Sequence, residues 1–420
     1  MTTTTLPAED SFSKGSTDLD RSRAVAPLTI KSDVEALEAA RRFAESIAGE
    51  AVARDRERRL PHAEIEAFTA TGLWGITVPP SHGGAGVSHV TLAEVVAIVS
   101  EADPSIGQIP QNHYCLVDAV RLIGDARQQA FFFAEVLAGK RIGNAVSETG
   151  TPTSKAMHTR IARDADGSWR LNGRKAYSTG ALFAHWVPVA ATDDAGRQWL
   201  AYVPRDSAGL HVIDDWDGFG QRTTASGTVL ADNVRVDALH VLPRDRLFSP
   251  PTIHGPFAQL LHAAIDLGIA RAALRDLHAW LTQKARPWAD SGVTRASDDP
   301  LTLSKVGALV VRLHAAEALL TRGALLLDAA RERPETGAQG VTAASIAVAE
   351  AKILTTELAL DAATALIEFG GSQSALRSHA LDRHWRNARV HTVHDPVRWK
   401  YHAVGSHWLN GAEPARHASL

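Results

Sequence analysis

A mostly helical α+β fold in three parts is predicted by three features of the 420-residue sequence. Apolar residues recur at helical spacing through the first 140 positions. Short alternating runs broken by turn dipeptides fill roughly the next hundred. After Pro250-Pro251 the helical pattern returns in segments about 30 residues long. The expected order is an N-terminal helical domain, a central β domain and a C-terminal helical bundle.

Residues 1–31 are rich in Thr, Ser, Asp and Pro without an apolar period, which predicts a flexible tail, ordered only against a partner subunit. The helical domain is expected over 32–140. Ser32 is a candidate N-cap with Glu35 three residues on, and Val34, Leu37, Ala40, Phe43 and Ile47 mark one helix face. Further helices fit 62–71, 91–102, 105–122 and 126–138. The β domain, 141–249, has candidate strands at 142–147, 159–163, 169–171, 186–190, 199–203 and 228–236, punctuated by Asp166-Gly167, Asn172-Gly173 and Ala195-Gly196. The bundle, 250–420, needs long helices over 256–284, 301–330 and 341–369, the last closed by Gly370-Gly371 as a C-cap. In the second of these, Leu303, Val306, Val310, Leu313, Leu320 and Leu327 form a broad apolar stripe of the kind that packs a four-helix bundle and meets other subunits.

Forty-four basic against forty-seven acidic residues give a net charge of −3, and the longest basic stretch, Arg54 to Arg59, is mixed in sign. Nucleic acid and anionic membranes are therefore poor partners. The single Cys115 excludes an internal disulfide and a cysteine-rich metal site. With no apolar stretch near the length of a membrane span and no apolar signal core, the cytoplasm is the expected location.

The densest proton-transfer chemistry lies in Arg386-Asn387-Ala388-Arg389-Val390-His391-Thr392-Val393-His394-Asp395-Pro396. Proline biases the residue before it away from the helical region, so Asp395 is expected to end an irregular segment and to cap a helix starting at Pro396. His391 and His394 titrate near neutrality and are candidates for acid–base work. As metal ligands the two form only a weak i, i+3 pair, and no metal is expected. Neither a GxxxxGK[ST] loop nor a strand–GxGxxG–helix unit occurs, which excludes the usual nicotinamide site. Three polar clusters, 147–154, Tyr177-Ser178-Thr179-Gly180 and 222–227, close strands of the β domain. They could rim a planar heterocycle, or be ordinary turn chemistry.

Several motifs resemble, in order, those of the acyl-CoA dehydrogenase superfamily: Val78-Pro79-Pro80-Ser81-His82-Gly83-Gly84-Ala85-Gly86, Val146-Ser147-Glu148-Thr149-Gly150, the stretches 173–180 and 220–227, Phe369-Gly370-Gly371-Ser372, and 386–396. The resemblance implies that family's fold, with a central β-barrel and a C-terminal four-helix bundle, and a flavin. Where the dehydrogenases carry a catalytic glutamate before Gly-Thr, this chain has Asp395-Pro396. That departure, with Gln111-Asn112-His113-Tyr114 and Tyr177-Ser178-Thr179, resembles the two-component flavin monooxygenases of the dibenzothiophene and sulfur-acquisition group. The resemblance implies reduced FMN from a separate NAD(P)H:flavin reductase, a flavin C4a-(hydro)peroxide formed with O2, oxygenation of a small organosulfur compound, and a homotetramer. His113, His391, His394 and Ser178 would serve the chemistry. Tyr114, Ser147, Thr149, Thr151, Tyr177, Ser178, Thr179, Arg286, Gly371, Ser372 and His394 would hold the cofactor, Arg286 through its phosphate across a subunit interface. The alternatives are an FAD-dependent acyl-CoA dehydrogenase with Asp395 as base, and a catalytically silent flavin-binding relative.

Overall fold

The computed structural model describes residues 26–153 and 156–420. Most of the expected tail falls outside these residues. Its last part, 26–31, is extended and docked: Leu28 donates its N–H to Ala70 O (3.1 Å), and Ile30 is buried. The helical domain comprises α1 (Asp33–Ala48), α2 (Ala51–Glu57), α3 (His62–Ala70), α4 (His89–Ala102), α5 (Pro104–Ile123) and α6 (Ala126–Leu137). Ser32 caps α1 by accepting the Glu35 N–H at 3.2 Å, and Glu35 reaches back to the Lys31 N–H at 2.8 Å. Asp103 caps α5 and is itself held by Arg54 at 2.9 Å, which fixes where that helix begins.

Seven strands form one mixed sheet: β1 (Arg160–Arg163), β2 (Trp169–Lys175), β3 (Trp186–Thr192), β4 (Gln198–Pro204), β5 (Leu210–Ile213), β6 (Thr228–Val236) and β7 (Val241–Pro243), in the order β5-β6-β2-β1-β3-β4-β7. All pairings are antiparallel except β1 with β3. The strand expected over 142–147 contributes only isolated bridges, Ile142 to Trp186 and Ala145 to Val189. Between them Gly143 lies so close to Ala181 that a Cβ would meet its Cα at 2.7 Å, so the chain follows β3 without pairing regularly. Asn172-Gly173, expected as a turn, is instead a bulge inside β2.

The bundle contains α7 (His254–Gln283), α8 (Pro300–Glu332), α9 (Gly337–Ser374), α10 (Asp382–Thr392) and α11 (Val397–Asn410). Helix α7 is apolar almost throughout and packs against α4, α5, α8, α9 and α10, so polar residues on it are buried and must find partners. Helix α9 does not stop at Gly370. It continues to Ser374 through a break at Gly371 (φ 66°, ψ −170°), with the Ser374 hydroxyl bonded to Ile367 O and Gly371 O. On α8 the inner face is Leu309, Ala316, Leu320, Ala324 and Leu327, while Leu301, Leu303, Val310, Val311 and Leu325 remain exposed. The expected stripe therefore splits into one face buried in the chain and a second facing outward.

Candidate active site

Gln259, His262 and Asp266 share one face of α7, at helical spacings of three and four. Lys352 and Thr356, one turn apart on α9, meet that face, as do His391 at the end of α10 and the loop residues His394 and Asp395. All are buried except His394, whose side chain is 51% exposed. Asp266 is the hub. Its Oδ2 accepts from Lys352 Nζ (2.5 Å) and Thr356 Oγ1 (2.8 Å), and its Oδ1 lies 2.5 Å from His391 Nδ1.

An ionised carboxylate only accepts, so His391 carries its proton on Nδ1 and offers the Nε2 lone pair to His262 Nδ1, 3.1 Å away. His262 then has its own lone pair on Nε2. Its ring lies against that of His394, centroids 4.1 Å apart. His394 donates Nδ1–H to Asp395 Oδ2 (2.9 Å), which also accepts from Gln259 Nε2 (2.8 Å). Burial would raise the pKa of Asp266, but Lys352 and His391 outweigh it and hold the group at about 2. Asp395 is likewise held well below the carboxylate range, its burial outweighed by the His394 hydrogen bond and the nearby Lys400 charge. Burial lowers both His391 and His262, the latter strongly, so both imidazoles are neutral at pH 7.

Asp395 does not cap the following helix. Pro396 occupies the N-cap position of α11 and no side chain bonds its first N–H groups; the Asp395 carboxylate is turned inward to His394 and Gln259 instead.

The β-domain loops meet α10 at Asn387, one turn before His391. Tyr177 (φ 55°), Gln221 (φ 49°) and Ala225 (φ 48°) are left-handed non-glycine residues, a concentration of backbone strain that the surroundings must impose. The imposition is visible. Gln221 donates its N–H to Asn387 Oδ1 on α10 (2.7 Å), and at Gly220 a Cβ would stand 2.0 Å from Arg386 O, so only glycine lets this loop press against α10. Thr179, Ser226 and Thr224 form a hydroxyl chain with 2.7 Å between neighbours, and Thr224 ends it by donating to Gln221 O at 3.0 Å. Ser178 donates its N–H to Gly227 O, while its buried Oγ has no partner within the described residues. A buried orphan hydroxyl beside the half-exposed Tyr177 ring fits a hydrogen-bonding heterocycle such as a flavin. Ser147 and Thr149 are exposed on the neighbouring loop. Glu148 between them anchors that loop through Lys175 Nζ (2.7 Å) and the N–H groups of His158 and Thr159. Thr151 bonds only locally, to Thr153 O.

Two expected site residues have their polar atoms bonded to the backbone of neighbouring segments. His113 uses Nε2 on Trp74 O (2.9 Å) and Nδ1 on the Ile142 N–H (3.0 Å), and burial with Arg141 nearby pulls its pKa down to about 4. Tyr114 is fully buried with its hydroxyl on Leu73 O. Neither ring has an atom left for a ligand. Arg286, Gly371 and Ser372 are exposed at the far end of α7, where Trp280 Nε1 bonds Gly370 O. From His262 to Trp280 is 18 residues of helix, about 27 Å, so these three do not reach the same chain's histidines. Conversely, Gln259, His262, Asp266, Lys352, Asn387 and Glu148 were not expected at the site. The signal for the first three was the polar spacing within an otherwise apolar helix.

The acyl-CoA dehydrogenase family models match this chain over 32–140 (N-terminal domain), 144–234 (middle domain) and 260–399 (C-terminal domain). The chain belongs to the acyl-CoA dehydrogenase family, in its flavin-dependent monooxygenase branch. Among its relatives is a dibenzothiophene monooxygenase of Rhodococcus erythropolis, 31% identical over 401 residues, covering 91% of this chain and 95% of that one. A Pseudomonas putida protein named "Probable FMNH2-dependent monooxygenase SfnC" is 32% identical over 393 residues, covering 90% and 96%. The FMN-bound structure of TdsC from a Paenibacillus species superposes with a TM-score of 0.87 at 31% identity, covering 92% of this chain and all of that one.

Proposed function

We propose that this chain is the oxygenase of a two-component system: it takes reduced FMN from a separate flavin reductase and transfers one atom of O2 to the sulfur of a small organosulfur compound. The other oxygen leaves as water. Bound reduced FMN supplies the two electrons and the position at which oxygen is activated. Ser178 holds the heterocycle through its unpartnered hydroxyl, and Tyr177, Thr179 and the Ser147–Thr149 loop shape its rim. His394 is the only half-exposed member of the imidazole network, and with Nδ1–H fixed on Asp395 its Nε2 handles the proton. His391 and His262 keep that wall neutral and oriented.

The observation that carries this reading over dehydrogenation is the state of Asp395. A base for an acyl α-proton needs a free carboxylate of raised or ordinary basicity within reach of the substrate. Here the carboxylate is 3% exposed, accepts two hydrogen bonds and is depressed in pKa. The family glutamate's task is not available to it.

Arg286, Gly371 and Ser372 serve a cofactor bound by another subunit, in a homotetramer whose contacts cover Leu301, Leu303 and Val311 on α8 and Trp399 and Trp408 on α11, all exposed in the single chain. The enzyme works in the cytoplasm, where the reductase supplies reduced flavin. The deciding experiment is turnover under 18O2 with FMN, NADH and a flavin reductase, over a panel of sulfides, sulfinates and thiophenes, read by mass spectrometry. One 18O per product molecule is expected. Flavin reoxidation that yields only hydrogen peroxide across the panel would refute oxygenation, and bleaching of bound oxidised flavin by an acyl-CoA would restore the dehydrogenase.

A further inference from the structure

Two imidazoles, of His262 and His394, and the carboxylate of Asp395 meet beside α7. His262 spends its Nδ1–H on His391, which in turn is fixed by Asp266, so the His262 lone pair is on Nε2. His394 Nδ1 lies 2.9 Å from Asp395 Oδ2, so a cation held by both residues takes the place of the Nδ1 proton. One ligand atom from each of His262, His394 and Asp395 lies within 4.8 Å of the other two. Behind His262 stands a carboxylate, Asp266 through His391, and Gln259 braces Asp395 from the far side. This is the outer-shell arrangement that orients histidine ligands and fixes their tautomer.

We propose that His262, His394 and Asp395 form a binding site for a zinc-class divalent cation, and that its occupation blocks the enzyme by taking the imidazole lone pairs. Two nitrogens and one oxygen suit zinc, copper or nickel over magnesium or calcium, which prefer oxygen-rich sets. Donor atoms around a tetrahedral zinc with bonds near 2 Å stand about 3.3 Å apart, so closing the site needs movement on the order of an ångström. His394, half exposed and on a loop rather than inside a helix, is free to supply it. A fourth position stays open to water, as in sites with three protein ligands. His391, the other histidine of the C-terminal motif, is not a ligand, because both its nitrogens are spent on Asp266 and His262.

Binding is tested on the flavin-free protein, without oxygen turnover, so failure here is distinct from failure of the oxygenase reading. After chelator dialysis the protein is titrated with zinc chloride by calorimetry and with cobalt chloride by visible absorption. One equivalent per chain and the intense absorption of four- or five-coordinate cobalt are expected. Because the His394 side chain is half exposed, His394→Gln should fold normally and bind at least tenfold more weakly; His262→Gln should do the same. The exposed His278→Gln should bind as the wild type does. Undiminished zinc affinity in His394→Gln, an octahedral cobalt spectrum, or no binding at all would overturn the site. Zinc that binds stoichiometrically yet leaves turnover unchanged would overturn its inhibitory role.

Discussion

The buried pair of Asp266 and Lys352 permits a test that separates holding the fold together from setting up the histidines. Both side chains are essentially inaccessible, 0% and 1% exposed, with 2.5 Å between Oδ2 and Nζ. At an effective dielectric of about 20, unit charges at that separation attract by about 7 kcal/mol. Burying each ion costs several kcal/mol, so the intact pair is worth little net, whereas removing one partner strands the other and should cost about 3–5 kcal/mol. Asp266→Leu is therefore expected to lower unfolding free energy by that amount in equilibrium denaturation. Adding Lys352→Met removes the stranded charge and should bring stability back to within about 2 kcal/mol of wild type. Turnover should not return, because His391 has lost the acceptor that keeps its proton on Nδ1. The readouts are the denaturation curve and the ratio of oxygenated product to hydrogen peroxide. Recovery of coupled oxygenation in the double variant would mean that Asp266 merely neutralises Lys352, and the tautomer argument would fail.

Three further outcomes are expected. Burial would raise the Glu148 pKa, but Lys175 and the donors of His158 and Thr159 outweigh it and hold the group at about 2, below its ordinary 4.5, so the ionised group stabilises the fold at neutral pH. That stability is fully present above pH 4.5 and is lost as pH falls toward 2, so wild type should lose it over this window while Glu148→Gln does not; parallel acid-unfolding curves would contradict the assignment. Ser178→Ala removes a buried hydroxyl without a partner in the chain, so the apoprotein should be no less stable while FMN dissociation constants rise about tenfold, measured by flavin fluorescence. His113→Leu strands the Ile142 N–H and the Trp74 carbonyl, which should cost about 2–4 kcal/mol in denaturation while the folded fraction keeps its specific activity; activity loss without destabilisation would put His113 back in the chemistry.

The helical and β segments were legible because burial imposes a period. Ser32 capping α1 and the break at Gly371 are both local devices, although the helix resumes after Gly371, which turn chemistry alone does not reveal. The C-terminal histidines could be picked out as chemically dense, but their division of labour could not. Which of them faces inward depends on Asp266, 125 residues earlier in the chain for His391, and on Gln259, 136 residues before Asp395. For His113 the sequence is silent for the complementary reason: its two nitrogens bond backbone groups from different segments, which its polar neighbours in the chain do not reveal. Asp395 before proline looked like a cap because that preference is local, and a buried glutamine and histidine outcompeted it.

The clasp between Gln221 and Asn387, 166 residues apart, has a consequence for how the protein is made. From Ser178 to His394 is 216 residues, which a ribosome adding about 5–20 residues per second needs about 10–40 s to deliver. Until α10 emerges, the left-handed turn at Gln221 lacks the surface that presses on it. The Gly220–Gln221 loop thus reaches its final form only when the last tenth of the chain has emerged and folded back, so this part of the β domain is finished late in synthesis.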